Sequence, residues 1–168
     1  MKKERIRKAK KAMKILISQG FRNPMQLICD SSFLNSVDKI ANGSSVILNY
    51  FQEYPKFFIH KCEYNLYVKE KKASEFSGIC EIIKCECNEN QTCITDEKLI
   101  TEKNPNHYIF CSTNKNYINR MKKMRIPIFT IQKSVPYFDL GEMKKKKYDI
   151  HGKAASSKEL KKLNQLLN

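Results

Sequence analysis

Two apolar runs in the second half of the chain constrain the fold more than any other feature. HYIFCST (residues 107–113) and IPIFTIQ (residues 126–132) are separated by KNYINRMKKM (residues 115–124), which has the pattern of a basic helix. Strands joined through a helix of this length are parallel, because the crossover returns the chain to the same edge of the sheet. Continuously apolar strands are covered on both faces. We therefore predict a three-layer α/β domain with a central parallel sheet.

The preceding sequence supplies further elements of such a domain. MQLICD (residues 25–30) has the pattern of a buried strand that ends in Asp30, and FFIH (residues 57–60) that of a second strand. Residues 33–54 predict two short helices with a break at Asn42-Gly43, and residues 63–84 a mixed helical stretch interrupted by Gly78.

Both ends of the chain differ from this middle. Residues 4–18 place apolar side chains at helical spacing among Lys and Arg, which predicts an amphipathic basic helix ending near Gly20. From Gly141 onward, KKKK (residues 144–147) precedes a capping pattern and three leucines at helical spacing. We expect a basic helix over residues 1–20, one domain over residues 21–140, and a basic tail with a short helix over residues 141–168.

The net charge of +15 is concentrated at the two ends. Residues 1–14 hold eight basic residues and one acid, and residues 141–168 hold eight Lys and three acids. Such a surplus steers association with polyanions, so we expect RNA binding led by phosphate contacts. The candidate RNA-binding residues lie in the first helix and in the acid-free stretch 115–125: Lys2, Lys3, Arg5, Arg7, Lys8, Lys10, Lys11, Lys14, Lys115, Arg120, Lys122, Lys123 and Arg125.

No run of 18 apolar residues is present, which excludes a membrane span, and the basic start is not followed by the unbroken apolar segment of a signal peptide. We expect an intracellular protein. In that setting seven cysteines, an odd number, are more readily reduced thiols or metal ligands than a disulfide framework.

The cysteine spacing predicts a metal site. Cys85, Cys87, Cys93 and His107 supply four zinc-type ligands within 23 residues, enough for a closed structural site. The alternative is that the cysteines are small buried hydrophobes and that His107 is a satisfied histidine at a strand entrance. The remaining cysteines, in apolar surroundings, we interpret as core thiols: Cys29, Cys62, Cys80 and Cys111.

Three stretches in the same order resemble a known family. They are KAMKILISQGFRNPMQLICDSSF (residues 11–33), the Cys-rich middle, and NPNHYIFCSTNKNYINRMKKMRIPIFTIQ (residues 104–132). Together they resemble the PIN-like proteins of the small-subunit processome, and among these the U-three-protein number twenty-three type. The resemblance implies a zinc site inserted in a PIN-like fold and a role in rRNA processing during ribosome biogenesis. It also implies a location in the nucleolus of the nucleus, with pre-rRNA, snoRNA and other processome proteins as partners.

Active PIN nucleases gather about four carboxylates to hold divalent metal ions. At the matching positions this chain keeps Asp30 but has Leu66, Thr92, Asn114 and Asn116. We therefore expect a degenerate nuclease centre and no enzymatic activity, with Asp30 left to cap the following helix.

Two alternatives stay open at this point. The first is an active metal-dependent PIN endoribonuclease in which Glu63, Asp96 or Glu97 completes a centre with Asp30. The second is a protein-interaction scaffold in the pre-ribosome, whose basic ends fold on acidic partner proteins.

Overall fold

The computed structural model describes residues 2–70, 74–87 and 93–141. The elements, in chain order, are α1 (Lys2–Ile17), β1 (Gln26–Cys29), α2 (Ser31–Asp38), α3 (Gly43–Leu48), β2 (Lys56–His60), α4 (Lys61–Glu70), α5 (Glu75–Gly78), β3 (Cys80–Ile83), α6 (Ile94–Thr101), β4 (Ile109–Cys111), α7 (Lys115–Lys123), β5 (Ile128–Gln132) and β6 (Val135–Asp139). The predicted tail beyond Gly141 lies outside the described residues.

Six strands form one sheet in the order β3-β2-β1-β4-β5-β6. Every neighbouring pair is parallel except β5 and β6, which form an antiparallel hairpin. Two apolar cores lie on opposite faces of the sheet. One holds α1, α2 and α3, and the other holds α6 and α7. The predicted three-layer α/β fold is confirmed, with an antiparallel strand added at one edge.

Helix α1 is part of the larger core. Its apolar stripe of Ala9, Ala12, Met13 and Leu16 is buried, and it packs on the same side of the sheet as Phe138 of β6. The basic side chains between these positions face solvent. The helix ends where predicted, because Gly20 adopts a φ of +91° that disfavours other residues.

Three elements are missing from the sequence prediction, and one of them, β3 (Cys80–Ile83), lies within residues 63–84, which were wrongly predicted to be a mixed helical stretch. β3 and β6 are edge strands, exposed along part of their length, so their patterns lack the continuous apolar character of a central strand. β6 also contains Pro136, which weakens any strand prediction. Lys133 and Ser134 both have positive φ and form the two-residue turn that reverses the chain into β6. The third missing element is α6.

The carboxyl ends of the central strands lie level with one another. Cys29, the last residue of β1, is in register with Ile59 of β2 and with Cys111 of β4. The chain leaves β1 toward β2 on one side, while β4 lies on the other side, so the strand order reverses at β1. Such a reversal opens a crevice outside the carboxyl ends of the strands, where ligands of α/β domains bind.

Candidate functional site

An acidic pocket of about 570 Å³ occupies this carboxyl edge. Four carboxylates contribute to its lining: Asp30, Glu63, Asp96 and Glu97. They come from the end of β1, the first turn of α4 and the first turn of α6. The rest of the lining includes Leu66, Asn114, Asn116, Tyr117 and Arg120.

Asp30 caps α2. Its Oδ1 accepts a 2.7 Å hydrogen bond from the Phe33 N–H and another of 2.7 Å from the Ser32 hydroxyl. Burial raises the pKa of Asp30 to about 6, and the negative charge of Glu63 adds to this increase. The hydrogen bonds from Ser112, Ser32 and the Phe33 N–H act in the opposite direction and lower the pKa. The capping role predicted for Asp30 is confirmed.

Glu63 supports the same helix end. Its Oε2 accepts hydrogen bonds from the Ser31 N–H at 3.0 Å and from the Ser31 hydroxyl at 2.8 Å. A carboxylate at a helix N-terminus satisfies free backbone N–H groups and interacts favourably with the helix dipole. Asp30 and Glu63 together therefore hold the start of α2.

The two acids of α6 each face a basic side chain. Asp96 is 4% exposed, and its Oδ1 lies 2.9 Å from Nδ1 of His60, which is 1% exposed. Burial raises the pKa of Asp96, and the contact with His60 opposes this increase. Burial alone would lower the pKa of His60, but the contacts with Asp96 and then Cys93 outweigh it and raise that pKa to about 10. Glu97 forms an ion pair with Arg120 of α7.

Three of the positions that the family resemblance matches to nuclease acids lie at this pocket. Leu66, Asn114 and Asn116 all line it. Asn114 caps α7, since its Oδ1 accepts from the N–H groups of Asn116 and Tyr117. Thr92 lies outside the described residues. The four carboxylates named in the alternative nuclease interpretation are thus gathered in one pocket.

Four cysteines cluster beside the acidic pocket. The sulfurs of Cys62, Cys85, Cys87 and Cys93 all lie within 4.8 Å of one another, and none of these four cysteines forms a disulfide. Cys62 belongs to the first turn of α4, Cys85 and Cys87 follow β3, and Cys93 is the N-cap residue of α6. Burial, followed by the neighbouring Cys85 and Cys93 thiols, raises the pKa of Cys62.

The cluster has the chemistry and the spacing of a tetrahedral thiolate site. Four sulfurs bound at about 2.3 Å to a zinc ion lie about 3.8 Å from one another. The Cys87 and Cys93 sulfurs are 3.6 Å apart. A bound divalent cation would deprotonate the four thiols, and its positive charge would offset the mutual repulsion of the resulting thiolates. These four residues could therefore hold a metal ion.

The predicted ligand set needs one correction. Cys85, Cys87 and Cys93 are brought together, but His107 is exposed and packs edge-on against Phe21, with ring centroids 5.3 Å apart. His107 precedes β4, whereas the cysteines follow β2 and β3. Parallel strands begin at one edge of the sheet and end at the other, so His107 lies at the wrong edge for this cluster.

Cys62 takes the fourth place, although the sequence suggested a core thiol. The signal for Cys62 was its position two residues after a predicted strand, at the edge where functional groups of parallel sheets collect. Of the other expected core thiols, Cys29, Cys80 and Cys111 are all buried, as predicted.

The candidate RNA-binding residues fall on two sides of the sheet, because α1 and α7 pack on opposite faces. On α1, seven of these side chains are exposed: Lys3, Arg5, Arg7, Lys8, Lys10, Lys11 and Lys14. On and just after α7, Lys115, Lys123 and Arg125 are exposed, and Arg120 is exposed while paired with Glu97. Lys122 is half-buried and its Nζ lies 2.8 Å from Asp139. The side chain of Lys2 lies outside the described part of the chain.

The sheet order, the three layers and the acidic pocket at the carboxyl edge define a PIN-like domain. The chain belongs to the Fcf1 family, whose match covers residues 49–139. This membership implies a role in rRNA processing during ribosome biogenesis.

The fold is also similar to a solved structure described as the PIN domain endonuclease Utp24. The similarity has a TM-score of 0.46 and 17% sequence identity, and it covers 68% of this chain and 91% of that one. No curated protein matches the chain. None of the described helices has the length and hydropathy needed to cross a membrane.

Proposed function

We propose that the chain is a non-catalytic, RNA-binding factor of the small-subunit processome, of the U-three-protein number twenty-three type. In this role it binds pre-rRNA and snoRNA in the nucleolus during maturation of small-subunit rRNA, in contact with other processome proteins. Membership in the Fcf1 family supports the general role, and the resemblance of residues 11–33 and 104–132 supports the type.

One observation carries the non-catalytic part: each pocket carboxylate already lies against a polar or basic group of the protein. Asp30 and Glu63 hold the start of α2, Asp96 faces His60, and Glu97 pairs with Arg120. A magnesium centre needs carboxylate oxygens directed at the ion in near-octahedral geometry. The amides of Asn114 and Asn116 offer carbonyl oxygens but no negative charge. This arrangement suits carboxylates that contact protein groups and not a metal ion.

The RNA-binding part rests on the exposed charge of α1. Seven exposed basic side chains on one helix, with Glu4 as the only acid, form a strongly positive surface. Basic side chains neutralise phosphates without reading sequence. The exposed basic residues of α7 add a second positive surface on the opposite face of the sheet.

We also propose that the four-cysteine cluster is a structural zinc site. Its ligands come from α4, from the segment after β3 and from the start of α6. Zinc bound there would join three elements around the acidic pocket and would contribute directly to folding stability. The site would need no open coordination position, which fits a structural and not a catalytic metal.

The test measures RNA binding and RNA cleavage side by side on a pre-rRNA-like RNA with Mn²⁺ present. The wild-type chain and the Asp30→Asn variant are expected to bind the RNA with similar affinity, and neither should cleave it. The Asn side chain keeps an oxygen that can accept the capping hydrogen bonds, so the variant should fold.

A second candidate function is supported by one observation. Because Asp30, Glu63, Asp96 and Glu97 line a single pocket, they could form a metal-dependent endoribonuclease centre. Cleavage by the wild-type chain that Asp30→Asn abolishes would establish this function and reject the non-catalytic proposal.

A further inference from the structure

His60 lies between the cysteine cluster and the acidic pocket. It is the last residue of β2 and is 1% exposed. A ring nitrogen of His60, the sulfur of Cys93 and a carboxylate oxygen of Asp96 all lie within 4.8 Å of one another. Cys93 also belongs to the four-cysteine cluster, and Asp96 also lines the acidic pocket. These three buried residues therefore connect the two sites.

The contact between His60 and Asp96 is incomplete by itself. Nδ1 of His60 and Oδ1 of Asp96 are 2.9 Å apart, yet neither atom has a partner with hydrogen-bond geometry among the described residues. Buried polar atoms without a hydrogen bond destabilise the folded state unless another group supplies the missing interaction. The Cys93 sulfur is the third member of this buried group and lies within 4.8 Å of both a His60 ring nitrogen and an Asp96 carboxylate oxygen.

A metal ion at the cysteines changes what His60 faces. Four thiolates around one divalent cation leave two excess negative charges in a buried place. A nearby imidazole N–H group stabilises such a thiolate, and a carboxylate in contact with the imidazole holds the ring in orientation.

We propose that His60, held by Asp96, is a positioning residue of the four-cysteine site, acting on the metal through the Cys93 thiolate. The inference rests on the proposed metal site and adds residues that are not ligands. Because Asp96 lines the pocket, the same contact joins the metal site to the pocket.

The test uses Co²⁺ as the probe, because thiolate-to-cobalt absorption reports on the ligands directly. The full-length chain is titrated with Co²⁺ as wild type and as His60→Leu, His60→Gln and Asp96→Asn. His107→Gln is the matched control, since His107 is exposed and lies at the other edge of the sheet. Apo and loaded forms of each variant are checked by circular dichroism.

All five chains are expected to bind one equivalent of Co²⁺. His60→Leu should weaken Co²⁺ binding about 10- to 100-fold, the usual effect of losing an outer partner of a metal ligand. Its thiolate-to-cobalt absorption should move to longer wavelength, since the sulfur loses a stabilising donor. His60→Gln keeps an N–H group and should recover part of the affinity. Asp96→Asn should produce a smaller change in the same direction.

Two results would overturn the inference while leaving the metal site intact. In the first, His60→Leu and Asp96→Asn match the wild type in affinity and spectrum. In the second, the wild type binds two equivalents and His60→Leu binds one, which would make His60 a ligand. A wild-type chain that binds no Co²⁺ would contradict the proposed metal site itself and this inference with it.

Discussion

The backbone N–H of Cys62 points at the sulfur of Cys85, 3.5 Å away and 23 positions further along the chain. This contact joins the first turn of α4 to the segment that follows β3. Cys93 adds the start of α6 to the same cluster. Helices α4 and α6, which carry Glu63, Asp96 and Glu97 into the acidic pocket, therefore both begin at the cysteine cluster.

The first prediction concerns the metal ligands. Cys62→Ser should lower zinc content as much as Cys85→Ser does, because both remove one of four clustered thiols. Each substitution should also lower the melting temperature, since the binding energy of a structural metal is folding energy. Metal analysis of purified variants and thermal unfolding supply the two measurements. His107→Asn should leave zinc content unchanged, and a loss in that variant would contradict the four-cysteine assignment.

The second prediction is a pH dependence at Asp30. Its pKa of about 6 in the folded chain exceeds the ordinary value of 3.8, so ionisation of Asp30 destabilises the fold. This cost is fully present above pH 6 and disappears as the pH falls through 6 toward 3.8. Ionisation of Asp30 at pH 8 costs about 3 kcal/mol, and Asp30→Asn removes this cost. Because an amide oxygen is a weaker cap, part of the gain is lost, and the variant should be more stable by about 1–2 kcal/mol at pH 8 and hardly at all at pH 4. Urea unfolding at the two pH values measures the difference. An equal loss of stability at both would show that capping outweighs the charge.

The third prediction tests whether α1 belongs to the core. Leu16 is fully buried, and Leu16→Ala should cost about 2–5 kcal/mol of unfolding free energy. The neighbouring Ile17 is 44% exposed, and Ile17→Ala should change stability by less than about 1 kcal/mol. Denaturant unfolding of both variants provides the comparison. Similar small effects would mean that α1 does not pack stably on the sheet.

The fourth prediction concerns the proposed RNA surface. Lys3, Lys10 and Lys14 are exposed and lie along one side of α1. Replacing all three by Gln keeps good helix formers and leaves the buried stripe intact. The slope of log affinity against log salt should fall by up to about 2–3, since each lost phosphate contact removes about 0.7–0.9. Substitution is preferable to deletion of residues 2–14, which would remove Ala9, Ala12 and Met13 from the core.

A matched triple variant carries Gln at Lys39, Lys56 and Lys61, which are exposed and lie outside α1 and α7. It removes the same charge and should leave the salt slope nearly unchanged. If both triple variants weaken RNA binding equally, net charge and not the α1 surface accounts for binding.

The sequence predicted the interior of this protein better than its edges. Leu27, Ile28, Ile109 and Phe110 are buried on both faces of the sheet, so their continuous runs marked central strands without ambiguity. Cys80 is buried while Glu81 is exposed, and this mixed pattern in β3 resembles part of a helix. Edge strands give weaker signals because only some of their side chains meet the core.

In the candidate sites, too, some features could be predicted from the sequence and others could not. Asp30 follows its strand directly, so local sequence was enough to place it and to predict its cap. The partners of the other acids depend on tertiary contacts between distant segments, such as Glu63 with Ser31 and Glu97 with Arg120. The fourth member of the cysteine cluster, Cys62 and not His107, could not be predicted for the same reason, since it depends on which edge of the sheet each segment reaches.

The packing of α1 beside β6 has a consequence for how the chain is made. α1 is the first described helix to leave the ribosome, and β6 is the last described strand. Until β6 emerges, the stripe that contains Leu16 has only part of its packing surface, while the lysines around it are already accessible. During synthesis, α1 would therefore be free to meet a polyanion before the domain that will hold it is complete.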